Sequence, residues 1–238
     1  MSIRPDEHDI SGNPVWSSLT GRHARFATAH GRAVRFQPDI SPFSAVTDWH
    51  DEGAWSDLAT LAGPGAIVAV AGVGLVLPAG WDVVWHGEGL QMVDVAVEAA
   101  DDPEAVTLTG ADVPEMLDLV ARTEPGPFAP RTIELGTYLG IRRGGALVAM
   151  AGERLRVPGL TEISAVCTDP GHRGQGLASR LIKAVSAGIR RRGDTPFLHV
   201  AGNNINAIRL YEAMGFKVRT EITFAALRTP SAEPTGIA

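Results

Sequence analysis

The sequence predicts a mixed α/β fold in two parts, and three observations predict it. From Ala105 to Leu227 the apolar and turn patterns run strand, helix, strand, strand, strand, helix, strand, helix, strand. A glycine-rich loop, "DPGHRGQGLA" from Asp169 to Ala178, stands between a strand and a helix in that order and marks a βαβ crossover. The longest apolar run, "AIVAVAGVGLVLPAG" from Ala66 to Gly80, is too short and too broken by glycine and proline for a membrane helix, so it reads as a buried strand and a turn.

The elements follow in chain order. "NPVWSSLTGRHARFATAH" (Asn13 to His30) predicts a helix, "RAVRFQ" (Arg32 to Gln37) a strand, and "EGAWSDLATLA" (Glu52 to Ala62) a short helix. Strands follow at "AIVAVAG" and "WDVVWHG" (Trp81 to Gly87). All five tryptophans, Trp16, Trp49, Trp55, Trp81 and Trp85, fall in this first part as core residues, one or two of which are free to line a pocket. The acidic, proline-containing piece Glu98 to Glu104 is the best boundary, dividing the chain into 1–103 and 104–238. Beyond it "AVTLTG" (Ala105 to Gly110) is a strand, and "ADVPEMLDLVART" (Ala111 to Thr123) is a helix with Asp112 near its cap and Met116, Leu117 and Val120 on one face. Two apolar runs around Arg-Arg-Gly-Gly between Thr137 and Val157 predict a hairpin, and "LTEISAVCT" (Leu160 to Thr168) a strand. After the loop, Leu177, Leu181, Val185 and Ile189 recur every fourth residue in a helix reaching Arg192. "PFLHVAG" (Pro196 to Gly202) is a strand, "NAIRLYEAMG" a short helix stopped by Gly215, and "FKVRTEITFAAL" (Phe216 to Leu227) the last strand.

Composition narrows the function classes. With 45% apolar and 20% charged residues and a formal net charge of −6 over 238 residues, nucleic acid is not the expected partner. The single basic cluster, Arg190 to Arg192, reads as a helix C-terminus complementing its dipole. One cysteine, Cys167, makes no internal disulfide, and His, Cys, Asp and Glu do not cluster at metal-ligand spacing, so no metal is expected. The polar, acidic N-terminus lacks the apolar core of a signal peptide. The expected setting is a reducing, cytoplasmic one without a membrane.

The loop carries the chemistry. A glycine-rich turn opening a helix suits an anion, because the first-turn N–H groups are unpaired and the helix dipole is positive there. Gly171, Gly174 and Gly176 do not keep the G-x-G-x-x-G spacing of dinucleotide folds, and the loop ends Gly-Leu-Ala rather than the Gly-Lys-Ser/Thr of a Walker loop. Arg173, Gly176 and Ala178 instead fit Arg/Gln-x-x-Gly-x-Gly/Ala, and "NNINAIRLYEAMGF" (Asn203 to Phe216) follows at the right distance. With both motifs, the stretch Val106 to Arg228 resembles the GNAT superfamily of N-acetyltransferases.

The resemblance implies a mostly antiparallel sheet flanked by helices, acetyl-CoA as cosubstrate, and an N-terminal part that is a degenerate half of the same fold helping to form the acceptor cleft. It implies that N–H groups of Arg173, Gly174, Gln175, Gly176, Leu177 and Ala178 hold the pyrophosphate, with Arg173 adding charge or serving only loop packing. It implies that the strand before the loop splays from the next one, leaving the backbone of Val166, Cys167 and Thr168 to bond the pantetheine arm. Cys167 is then either an apolar filler or an acyl-carrying nucleophile, and direct attack by the amine favours the filler. Tyr211 matches the proton donor to the leaving thiolate, against a purely anchoring role. Glu162, His199 and, less well placed, Glu134 are candidates for the base, with solvated edge residues as the alternative. Asn204 and Asn206 match positions that contact the coenzyme or merely form a turn. The leading function is acetyl transfer to a primary amine of a small metabolite, followed by a protein or peptide amine, and then by a non-catalytic acyl-CoA sensor; a homodimer is compatible with each.

Overall fold

The computed structural model describes residues 12–231. The polar segment read above as lacking a signal core lies largely outside them. Asn13 caps the first helix, accepting the Trp16 amide at 3.0 Å, and Pro14 occupies the first helical position, yet α1 covers only Pro14–Leu19. The longer helix expected to His30 does not form, because Ala27–His30 is β1, paired antiparallel with β2 (Ala33–Phe36). The short strand β3 (Ser44–Val46) completes this small sheet. α2 (Glu52–Ala62) starts where Asp51 accepts the Gly53 amide.

The second sheet has eight strands. β4 (Ile67–Gly72) and β5 (Asp82–Asp94) come first, then β6 (Val106–Thr107), α3 (Val113–Thr123), β7 (Tyr138–Arg143), β8 (Ala146–Val157), β9 (Leu160–Thr168), α4 (Leu177–Arg191), β10 (Thr195–Ala201), α5 (Ile205–Met214) and β11 (Phe216–Arg228). Their order is β4-β11-β5-β10-β9-β8-β7-β6, antiparallel throughout except for the parallel pair β9 and β10 around the α4 crossover. The expected boundary at 103/104 falls in the β5–β6 connection, but the sheet does not divide there: β5 lies between β10 and β11. That connection is a strap rather than a linker, tied to α4 by Asp94–Arg190, Glu98–Lys183, Asp101–Arg191 and Asp102–Arg180. The Arg190–Arg192 cluster is thereby accounted for, since Arg192 pairs with Glu153 at 2.7 Å.

Helices cover both faces. Leu177, Leu181, Val185 and Ile189 of α4 pack on Ile163, Leu198 and Phe216, with α5 alongside. On the other face the N-terminal layer, including Leu19, Phe36, Trp55 and Leu58, packs on Leu155, Leu160, Phe197 and Leu227. α3 closes that face through Met116 and Leu119 against Tyr138 and Met150. Each such large apolar side chain contributes about 1.5–3 kcal/mol on burial, so the sheet is held as a rigid floor for the site.

Buried His23 links the layers: its Nδ1 accepts from the Ser18 hydroxyl at 2.9 Å and its Nε2–H donates to the Leu135 carbonyl at 3.0 Å. Burial, assisted by Arg156 and Arg25 and opposed by the Leu135 carbonyl, lowers its pKa from 6.5 to about 4. The unfolded chain therefore binds a proton that the folded one refuses between pH 6.5 and about 4. Stability should fall across that window as pH drops, by about 3 kcal/mol. Urea unfolding at a series of pH values should show this slope flattened in His23→Gln, and an unchanged slope would remove His23 as its source.

Candidate active site

β9 and β10 hydrogen-bond only through Leu160–Ile163 and Thr195–Leu198, and beyond Ile163 they part. Two features produce the splay. Ala165 stands at φ 52, a left-handed conformation that costs an L-residue about 1–2 kcal/mol, and β9 carries an extra residue there against β8, with Met150 opposite Cys167 but Gly152 opposite Ser164. β10 meanwhile turns away with β5, pairing through Ala201 with Gly89. The gap opens into a cleft of about 660 Å³ lined by Val166, Cys167 and Thr168 on one side, Val200 and Ala201 on the other, and the loop 172–179 at its mouth.

Asp169 anchors the loop by accepting the Gly171 amide at 2.9 Å and by pairing with Arg122 of α3. Gly174 and Gly176 stand at φ 77 and φ 71, where glycine is the residue without a steric penalty. A Cβ at either would meet no protein atom, so conformation and the space above the loop, not crowding by neighbours, explain the glycines. Gly176 caps α4 with no side chain, and the amides of Gly174 to Ala178 donate to no described residue. These amides and the positive end of a 15-residue helix face the cleft mouth. Thr168 Oγ1 is a second orphan on the cleft wall, buried without a partner. Unpaired donors at the mouth and an unpaired strand edge inside fit a pyrophosphate followed by a pantetheine arm. Arg173 lines the mouth with only a long contact to the Thr168 carbonyl, whereas Gln175 is exposed and lies off the lining.

The expected residues separate into those on the cleft and those behind it. Tyr211, on α5, lines the cleft where β9 and β10 diverge; desolvation by burial raises its phenol to about 12. Asn204 caps α5 by accepting the Ala207 amide at 3.1 Å and touches the cleft, while Asn206 is exposed and does not. Cys167 is 6% exposed, and burial pushes its thiol upward, a setting that disfavours the thiolate. Glu134 is bound by Arg131 at 2.7 Å and lies off the cleft, which removes it as a base.

Glu162 is not on the cleft wall either. Its side chain is 0% exposed, and it accepts Arg154 Nε at 2.9 Å and Nη2 at 2.5 Å, the Leu155 amide, and His199 Nδ1 at 2.7 Å. Burial is the largest influence and would raise its pKa, but the charges and hydrogen bonds of Arg154 and His199 outweigh it and hold the carboxyl well below the usual carboxylate range. Register explains the contact: Glu162 stands opposite Phe197 in the parallel pair, two residues before His199 on the same face. His199 stands opposite Gln91 of β5, and its Nε2 lies 3.1 Å from the Gln91 amide nitrogen. Both ring nitrogens are thus engaged, and Phe197 and Phe224 hold the ring edge-on. Glu162 thus has no direct access to the cleft, while His199 lines it with both ring nitrogens engaged.

A second chamber of about 340 Å³ adjoins the cleft, sharing Val166, His199, Val200, Ala201 and Tyr211 with it. Phe43, Trp85, Phe224 and Arg154 supply much of its wall. Sequence reading missed this chamber apart from the expectation that a tryptophan lines a pocket. The one available signal was a Glu-Arg pair inside the apolar strand "ALVAMAGERLRV". Among the described residues no group of acidic, His and Cys side chains could hold a metal, and no helix is long and apolar enough to cross a membrane.

The family model described as FR47-like protein matches residues 138–225, the stretch that contains both walls of the cleft. No curated protein matches the sequence. Among solved structures, a protein of the GNAT family from Novosphingobium aromaticivorans is 40% identical, with a TM-score of 0.84 over 97% of this chain and 100% of that one. A GCN5-related N-acetyltransferase from Kribbella flavida shares the fold at 17% identity, with a TM-score of 0.62 over 95% of this chain and 98% of the other. The splayed strands, the unpaired loop amides and a full-length relative at this identity converge on one conclusion: the chain belongs to the GNAT family of acetyltransferases.

Proposed function

We propose that the protein transfers the acetyl group of acetyl-CoA to a primary amine of a small metabolite by direct attack, with residues 1–103 supplying part of the acceptor side. The observation that carries this reading is the meeting of two chambers at Tyr211, one floored by the loop amides and one walled by Phe43 and Trp85 from the N-terminal part. A mere acyl-CoA sensor needs no second chamber. Acetyl-CoA supplies the activated thioester. In the transfer the amine nitrogen forms a bond to the carbonyl carbon, the carbon–sulfur bond breaks, the electron pair leaves on sulfur, and the amine loses one proton.

The chain's residues serve these changes unequally. The loop amides hold charge far from the reacting carbon, and the free edge at Val166–Thr168 aligns the arm. Tyr211 hydrogen-bonds the departing sulfur: with a pKa of about 12 it keeps its proton at neutral pH. A phenol that weak stabilises the thiolate by its hydrogen bond more than by complete transfer, since thiols have pKa values near 8.5. Glu162 fixes the His199 tautomer with the proton on Nδ1, making His199 a positioning residue on the wall between the chambers. The amine's own ionisation then sets the acidic limb of the rate profile.

A free-thiol assay over a panel of small amines should show acetyl-CoA-dependent turnover. Its acidic limb in kcat/KM should move with the pKa of each amine. A limb fixed near neutrality for every acceptor and abolished in His199→Gln would make His199 the base. Absence of thiol release over all amines and peptides would leave the sensor reading.

A further inference from the structure

From the walls of the second chamber we infer that the acceptor is a free amino acid with an aromatic or large apolar side chain, its carboxylate held by Arg154. This rests on the acetyl-transfer reading above. Arg154 is 9% exposed, and the Glu162 fork uses its Nε and Nη2, while Nη1 donates to no described residue. A guanidinium presents five N–H donors, and those on Nη1 are left for an acceptor in the chamber. The plane is fixed twice over, by the fork and by stacking on Phe43 at 5.0 Å from the ring centroid. Nη1 is thus a preorganised donor on a residue that lines the chamber.

The rest of the wall says what accompanies the carboxylate. Phe43, Trp85 and Phe224 make the chamber aromatic, and Trp85 is 56% exposed, so its ring is available for contact. No carboxylate lines the chamber among the described residues, and Glu162, behind its wall, is already spent on Arg154 and His199. A polyamine or a lysine-rich tail finds no counter-charge there, whereas a zwitterion brings an anion for Arg154 and an amine toward Tyr211. A chamber of about 340 Å³ is of a size for one such molecule.

The test compares acceptors differing only in the anion: tryptophan against tryptophanamide and tryptamine, with spermidine as the polycation. With rates referred to the free-amine form of each acceptor, the wild-type protein should use tryptophan roughly 10–100-fold better in kcat/KM than either analogue lacking the carboxylate, the usual worth of a charge-assisted hydrogen bond. In Arg154→Lys, which keeps the charge opposite Glu162 but loses the fork, that ratio should fall toward one. Equal use of tryptamine and tryptophan by the wild type, or preference for spermidine, overturns the proposal while leaving acetyl transfer intact. A binding arm separates the two failures. Calorimetry in the presence of coenzyme A should show N-acetyltryptophan binding at least about 10-fold tighter than N-acetyltryptamine. If that preference holds without turnover of any amine, the acetyl-transfer reading fails and the carboxylate site stands; if it is absent, the site fails.

Discussion

Tyr211→Phe should lower kcat by roughly 10²–10³, the usual scale for loss of one hydrogen-bond donor aimed at charge that develops in the transition state, with acetyl-CoA affinity nearly unchanged. The split follows from where the residue sits. Its ring packs against Phe216 at 6.1 Å between centroids and remains in phenylalanine, so the shape of α5 and of the cleft survives. What disappears is one hydroxyl, on a side chain at the junction of the two chambers. Nothing else on that wall can replace it as a hydrogen-bond donor to the sulfur. The neighbouring thiol of Cys167 is buried, and His199 is turned to Glu162 and Gln91. An effect confined to kcat would assign the hydroxyl to the transition state. A rise in Kd for acetyl-CoA with unchanged kcat would assign it to binding instead.

Gly176→Glu should weaken acetyl-CoA binding by roughly 100-fold or more, measured by calorimetry, because a carboxylate enters the space above the unpaired amides where a pyrophosphate belongs. The side chain at φ 71 is also strained by about 1–2 kcal/mol, a cost to folding that free and bound protein share. Gly176→Ala carries that strain without the carboxylate, so it should lower stability by a similar amount and cost far less affinity than the glutamate. Equal affinities in wild type and Gly176→Glu, with the variant folded, would put the pyrophosphate elsewhere.

Much of the scaffold was legible because it rests on local rules. α2 between Asp51 and Gly63, β9 between turn residues, and α4 with its four-residue apolar repeat all form where periodicity and capping place them. The order of the last nine elements and the single parallel crossover were also legible, since the loop motif marks the crossover directly. The misses are non-local. Ala27–His30 has helical neighbours in sequence but gains a strand partner in β2, and three-residue β3 is too short to show alternation. The 98–104 segment reads as a boundary by composition, while its acids are matched by arginines and a lysine on α4 some 80 residues later, in pairs such as Asp102–Arg180.

The site divides the same way. The loop was readable because glycines at positive φ leave a sequence trace. Glu162 was not, since whether a strand residue faces the cleft or the core depends on the bulge at Ala165 and on an arginine waiting on β8. Arg154, Gln91 and the aromatic chamber gather from six strands, a helix and two loops, and no spacing within any one segment reports them.

A crystal structure of the protein with coenzyme A tests the central claim most directly. The pyrophosphate is expected on the amides of Gly174 to Ala178, the pantetheine arm along Val166–Thr168 in the gap between β9 and β10, and the thiol within hydrogen-bond reach of the Tyr211 hydroxyl, facing the chamber of Phe43 and Trp85. Coenzyme bound outside that gap, or with its thiol turned away from Tyr211 and the second chamber, would contradict it.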